Sequence, residues 1–124
     1  MTRSGFSLAA AFRCAARGIA DSAHERNFRI ELAFMALCIV LGFAFSIEPT
    51  EWAACIACCG LVLGGECFNC ALEAVVDLAS PERCELARVA KDAAAGGVLL
   101  FAIASFVVGV LIFAPRILSA LGLL

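Results

Sequence analysis

Three apolar runs dominate the chain, and the polar residues collect between them. The first extends from Ile30 to Ile47 and is interrupted only by Glu31. The second extends from Trp52 to Val76 and is apolar except for Glu66, Asn69 and Glu73. The third, Ala93 to Ala114, carries no charge. Each approaches the ~20 residues that a helix needs to cross a bilayer. Helix is the expected form, because lipid offers no hydrogen-bond partners to open backbone groups. Spans are therefore predicted at about 30–47, 52–76 and 93–114.

The connections sharpen this reading. Glu48-Pro49-Thr50-Glu51 is a tight polar turn, and Pro49 cannot continue the first helix. Ser80-Pro81-Glu82 has the pattern of a helix start, with Ser as cap and Pro at the first helical position. Pro115 is expected to end the third helix, leaving Arg116–Leu124 as an apolar tail along the interface. Before the first span, Phe6, Leu8, Phe12 and Ile19 alternate with Arg3, Arg13 and Arg17. That mixture suits an amphipathic helix on the lipid surface over about residues 5–24, or else a charged anchor. No cleavable signal peptide precedes it: a compact apolar core followed by a small-residue cleavage site is lacking.

Composition agrees with a membrane protein of one domain, residues 1–124. The chain is 64% hydrophobic and 16% charged, with mean hydropathy +1.02. A soluble domain is about half apolar and about a quarter charged. Net charge is -2, with no basic stripe, so nucleic acid is not expected as a partner. The placement of cations is more informative. Arg3, Arg13, Arg17, Arg26 and Arg29 precede the first span, Arg83, Arg88 and Lys91 lie in the second loop, and the Glu48–Glu51 turn has none. Basic loops stay inside, which puts the N-terminus and second loop in the cytoplasm of a multi-pass cell-membrane protein. Six of the eight cysteines sit in apolar runs. Cys55-x-x-Cys58 and Cys67-x-x-Cys70 have zinc-like spacing, but His24 is the only histidine, so they read as small packing residues.

The second span carries the chemistry. Glu66, Asn69, Glu73 and Asp77 are spaced three, four and four residues apart. On a helix they fall within roughly 80° of one another. A charge in a membrane segment costs roughly 2.5–3.5 kcal/mol even on the lenient insertion scale, so this stripe needs a partner. An ion-pair seam between helices is one possibility, and a proton relay of a small oligomeric transporter is another. A metal and phosphate site is the third: carboxylates suit Mg²⁺, which keeps phosphates as further ligands. Glu25, Lys91 and Asp92 converge on the same cytoplasmic end, where a lysine would meet phosphate oxygens. Walker and Gly-rich kinase loops are missing.

The run Gly65-Glu66-Cys67-Phe68-Asn69-Cys70-Ala71-Leu72-Glu73-Ala74-Val75-Val76-Asp77 fits a signature of the form E-x-x-N-[ST]-A-[IL]-E-x-x-[VL]-D. With Glu25-Arg26-Asn27-Phe28-Arg29 and Ala90-Lys91-Asp92-Ala93-Ala94-Ala95-Gly96, it resembles the small prokaryotic diacylglycerol kinase and undecaprenol kinase family of membrane kinases, and more closely the undecaprenol branch. The resemblance covers about Phe6 to Pro115 and implies an all-α homotrimer with sites shared between subunits. It implies an ATP- and Mg²⁺-dependent transfer to a membrane lipid alcohol, undecaprenol or alternatively diacylglycerol. Glu66 would be the catalytic base, Glu25 and Glu73 the Mg²⁺ ligands, and Lys91, Asp92, Asp77 and Arg17 nucleotide-binding residues. Asn69 and Asn27 would bind substrate. Two departures stand out: Cys70 replaces the usual Ser or Thr, and Glu31 stands where undecaprenol-kinase-like members often have His.

Overall fold

The computed structural model describes residues 7–82 and 84–124. Arg3, Phe6 and Arg83, used above for topology and the surface helix, lie outside the described residues. The order is α1 (Leu8–Ser22), α2 (Arg26–Ala44), α3 (Pro49–Ala79) and α4 (Glu85–Ala120). Three of these, α2, α3 and α4, are long and apolar enough to cross a membrane. α3 is the central helix, and α1, α2 and α4 all pack against it.

The termini follow from local chemistry. Ser7 caps α1, its hydroxyl accepting from the Ala10 N–H at 3.2 Å. α2 closes in a Schellman arrangement: Ile47 N–H donates to Gly42 O and Ser46 N–H to Phe43 O. Ser46 takes the left-handed position with φ 48°, where glycine is the usual occupant. Glu48 then caps α3 with Pro49 in its first turn, and the Glu48 N–H donates to Glu51 Oε2 at 2.9 Å. α3 thus begins at Pro49, after the Schellman turn has already closed α2.

Two expectations about helix ends do not hold. Ser80-Pro81-Glu82 is loop, with the Ser80 hydroxyl turned onto Glu82 O, and α4 starts at Glu85. Its cap is Cys84, whose thiol accepts from the Ala87 N–H at 3.4 Å and lies 3.4 Å from the Ser80 hydroxyl. Those two contacts, Ser80 foremost, hold the Cys84 thiol below the ordinary thiol range. At the other end, α4 runs through Pro115 to Ala120. Proline removes a donor from the ladder, and the helix nevertheless continues; the guanidinium of the next residue, Arg116, donates to Ile112 O at 2.6 Å. The segment expected as an interfacial tail is therefore largely helix.

The α2–α3–α4 packing depends on two close approaches. A Cβ on Gly42 would lie 2.5 Å from the Trp52 indole, and one on Gly65 would lie 2.8 Å from the Phe101 ring. The first lets α2 lie against the start of α3, and the second lets α4 lie along its middle. Buried Ile47, Cys55, Ile112 and Phe113 gather near the Glu48–Glu51 turn. Phe34, Phe43, Ile56, Phe68, Phe106 and Leu111 are exposed. Such outward apolar area suits hydrocarbon surroundings. All eight cysteines are free thiols, and Cys38 of α2 lies among Cys55, Cys58 and Cys59 of α3.

Candidate active site

The stripe predicted on the second span is a real face of α3. Glu66 is 3% exposed and Asn69 8% exposed, whereas Glu73 and Asp77, one and two turns further on, are exposed. At ~1.5 Å per residue, Glu66 lies roughly 26 Å from the first residue of α3. It is thus near the far edge of a ~30 Å hydrocarbon layer, with Glu73 and Asp77 progressively outside it.

Partners arrive from three other helices. Glu25, the capping residue of α2, is exposed and lies within electrostatic reach of Glu66, as does Glu73. The Asn69 amide donates to Glu73 Oε1 at 3.3 Å, which leaves the buried Asn69 Oδ1 without a hydrogen-bond partner. Lys91 of α4 donates to Asp77 Oδ1 at 2.5 Å, joining the end of α3 to the start of α4. Ser22, at the end of α1, is buried beside Cys70, and its hydroxyl donates to Gly18 O at 3.0 Å. The hydroxyl that the signature lacks at position 70 is therefore supplied nearby by another helix.

Some candidates remain apart. Asp92 pairs with Arg88 one turn earlier on α4. Arg88 also pairs with Glu85, an i, i+3 partner. Sequence reading used Arg88 only for topology, although its four-residue spacing from Asp92 was a visible signal. Arg17 on α1 and Asn27 in the first turn of α2 are exposed, and neither is drawn into the Glu25–Glu66–Glu73 group. Glu31 was noted only as a departure. The structure places it at one end of the apolar groove, with Glu31 Oε2 buried and unpartnered.

The group is rich in oxygen acceptors and poor in cations. Among the described residues, no three His, Cys, Asp or Glu side chains converge closely enough to hold a metal ion. Glu25 and Glu73, the two carboxylates expected to hold Mg²⁺, are both exposed at this end, and each acts electrostatically on Glu66. Beside the carboxylates, an open apolar groove of about 530 Å³ runs between α2, α3 and α4. Its lining extends from Glu31 through Phe34 and Cys38 to Phe113 and Ile117, with Glu31 as its one charged residue.

Buried Glu66 and Asn69 and the half-exposed Lys91 lie at one end of the helical hairpins. The prokaryotic diacylglycerol kinase family profile matches residues 13–113. The chain belongs to that family. It is 38% identical over 104 residues to the undecaprenol kinase of Bacillus subtilis, covering 83% of this chain and 85% of that one. It is also 40% identical over 114 residues to the diacylglycerol kinase of Synechocystis, covering 90% of this chain and 65% of the longer relative. No solved structure gives a significant match. The family makes this chain an enzyme, a lipid kinase that transfers phosphate to an alcohol group and uses a nucleotide co-substrate. The transporter reading of the stripe falls with that membership.

Proposed function

We propose that this membrane kinase moves the γ-phosphoryl of ATP onto the hydroxyl of undecaprenol at the cytoplasmic face of the cell membrane. The observation that carries this is the buried Glu66, which shares one face of α3 with Asn69 and Glu73 at the end reached by Glu25 and Lys91. Glu66 is the general base toward the lipid hydroxyl. Asn69 and Asn27 bind substrate, Asn69 with the free carbonyl oxygen that its bond to Glu73 leaves over. Lys91, Asp92, Asp77 and Arg17 form the nucleotide side, and the Lys91–Asp77 pair opens when phosphate oxygens replace the Asp77 carboxylate. Glu25 and Glu73 would hold Mg²⁺, which would supply positive charge against the phosphate chain. The protein's share of the catalysis is positioning and charge placement, which is most of what phosphoryl transfer needs.

The acceptor is argued from the groove. A polyprenol has one hydroxyl and a hydrocarbon body, and the groove offers one carboxyl and apolar walls. Diacylglycerol adds two ester carbonyls, for which this lining offers only the Ser105 hydroxyl and weak thiol donors. The high shared coverage with the Bacillus subtilis enzyme points the same way. Diacylglycerol remains the second reading, supported by the identity to the Synechocystis relative.

The single domain of residues 1–124 works as a homotrimer, which encloses volume that three spanning helices alone cannot. α1 lies on the cytoplasmic lipid surface as an amphipathic helix, with the N-terminus inside. A phosphate-transfer assay in mixed micelles, with ATP and either undecaprenol or diacylglycerol, tests the acceptor. Undecaprenol should give the higher kcat/KM, and a preference for diacylglycerol would replace the first reading by the second.

A further inference from the structure

The apolar groove ends just short of the proposed base. On α3 its lining stops at Val62 and Leu63, and on α4 it begins at Ala102. Glu66 stands four residues beyond Val62 and three beyond Leu63, on the face of α3 that lines the groove. Four residues of helix rise about 6 Å, so one turn of α3 separates the groove from the buried Glu66.

That turn is covered by α4. A Cβ on Gly65 would lie 2.8 and 3.1 Å from two ring carbons of Phe101, and 3.8 Å from a methyl of Val98. The Phe101 ring therefore rests on the backbone of the residue just before Glu66. Phe101 is also the residue just before Ala102, where the α4 wall of the groove begins. The close approach is specific to this place. At the other glycines of α3 and α4 (Gly60, Gly64, Gly96, Gly97 and Gly109) such a Cβ has nothing within 4 Å.

The two acceptor readings differ at the carbon that would meet this ring. In undecaprenol the hydroxyl sits on a terminal CH₂, and the next carbon is an unbranched alkene CH. In diacylglycerol the carbon next to the carbinol carries an acyloxy branch. With the hydroxyl at Glu66 and the hydrocarbon body in the groove, that next carbon falls in the turn that Phe101 covers.

We infer that Phe101, seated on Gly65, determines acceptor specificity: its ring narrows the passage from the groove to Glu66, admitting a slim primary alcohol and rejecting one branched beside its carbinol. The inference rests on the groove holding the acceptor and on Glu66 being the base. The ring makes no bond to the acceptor and acts by steric exclusion, the repulsive half of specificity. Phe101 is partly exposed, so shortening it does not empty a closed core.

The test is the ratio of kcat/KM for diacylglycerol to that for undecaprenol, measured on full-length protein in mixed micelles with MgATP. Partial unfolding scales both values alike, so the ratio survives a loss of stability. Phe101→Ala should raise the ratio by at least about tenfold, the scale on which apolar pockets discriminate by shape. Phe101→Leu, which keeps more of the packing, should raise it by less. Leu100→Ala, at the exposed neighbouring position, should leave the ratio at the wild-type value. An unchanged ratio in Phe101→Ala, or an equal shift in Leu100→Ala, overturns the role of Phe101. Loss of activity toward both acceptors in the Ala and Leu variants makes Phe101 a structural residue and also overturns it. A wild-type enzyme that already prefers diacylglycerol overturns the acceptor reading, and the inference falls with it. A wild-type preference for undecaprenol that Phe101→Ala does not alter removes only the inference.

Discussion

The two ends of the α2–α3–α4 hairpins share a backbone but treat polar groups in opposite ways. At the Glu48–Glu51 end, Glu51 receives the Glu48 N–H and two guanidinium bonds from Arg116, at 2.8 and 3.0 Å. Arg116 has its remaining reach occupied by Ile112 O. Gly42 admits the Trp52 ring, which meets Phe43 at a centroid distance of 5.0 Å. At the other end, Glu66 and Asn69 are buried, and Asn69 Oδ1 and Glu31 Oε2 are left unpartnered. One end pairs Glu51 with Arg116 and closes the hairpins. The other concentrates acceptors whose natural complements are a metal, a phosphate chain and a hydroxyl. Stability and chemistry have been separated along the length of one 31-residue helix.

If that division is correct, substitutions at the two ends should fail in different assays. Glu73→Gln keeps size and hydrogen bonding to Asn69 but removes a charge from the proposed Mg²⁺ site. Activity at fixed Mg²⁺ should fall roughly 100-fold, the several kcal/mol that a metal contributes to charge stabilisation. The Mg²⁺ requirement should rise, and the melting temperature should stay constant. An unaltered Mg²⁺ titration would remove Glu73 from that role.

Gly42→Ala addresses the opposite end. The added methyl meets the indole at 2.5 Å, and overpacking of this kind costs typically 1–3 kcal/mol. Thermal unfolding in detergent should show the loss, while turnover per folded molecule stays at the wild-type value. Arg116→Gln should cost less, about 1 kcal/mol, because the pair with Glu51 is only half-buried. Its effect on turnover should again be nil, and a large loss of turnover in either variant would break the division. The smallest effect has the opposite sign. Ser46→Gly relieves a left-handed φ of 48° and should stabilise the turn by about 0.4–1 kcal/mol.

Sequence reading found most of this because membrane helices are written in long apolar runs. The stripe Glu66–Asn69–Glu73–Asp77 was legible because polar residues in such a run must share a face. The helix ends were harder. Pro115 signals a stop in water. Here the helix continues through it to Ala120. Ser80-Pro81-Glu82 had the residues of a start, but the Ser80 hydroxyl turns to Glu82 O and leaves capping to Cys84. Glu31 was visible as an anomaly and not as a participant. Its place at one end of the groove between α2, α3 and α4 is a tertiary fact that no single-helix pattern contains.

The central claim is that the buried end of the α3 stripe removes the acceptor proton. Glu66→Gln tests it in one measurement of undecaprenol phosphorylation, with MgATP affinity and melting temperature recorded on the same sample. General bases contribute roughly 10²–10⁴-fold, so kcat should fall by about that factor with the other two quantities nearly unchanged. Wild-type turnover, or a loss that tracks unfolding or failed assembly, would make Glu66 a structural residue and contradict the mechanism.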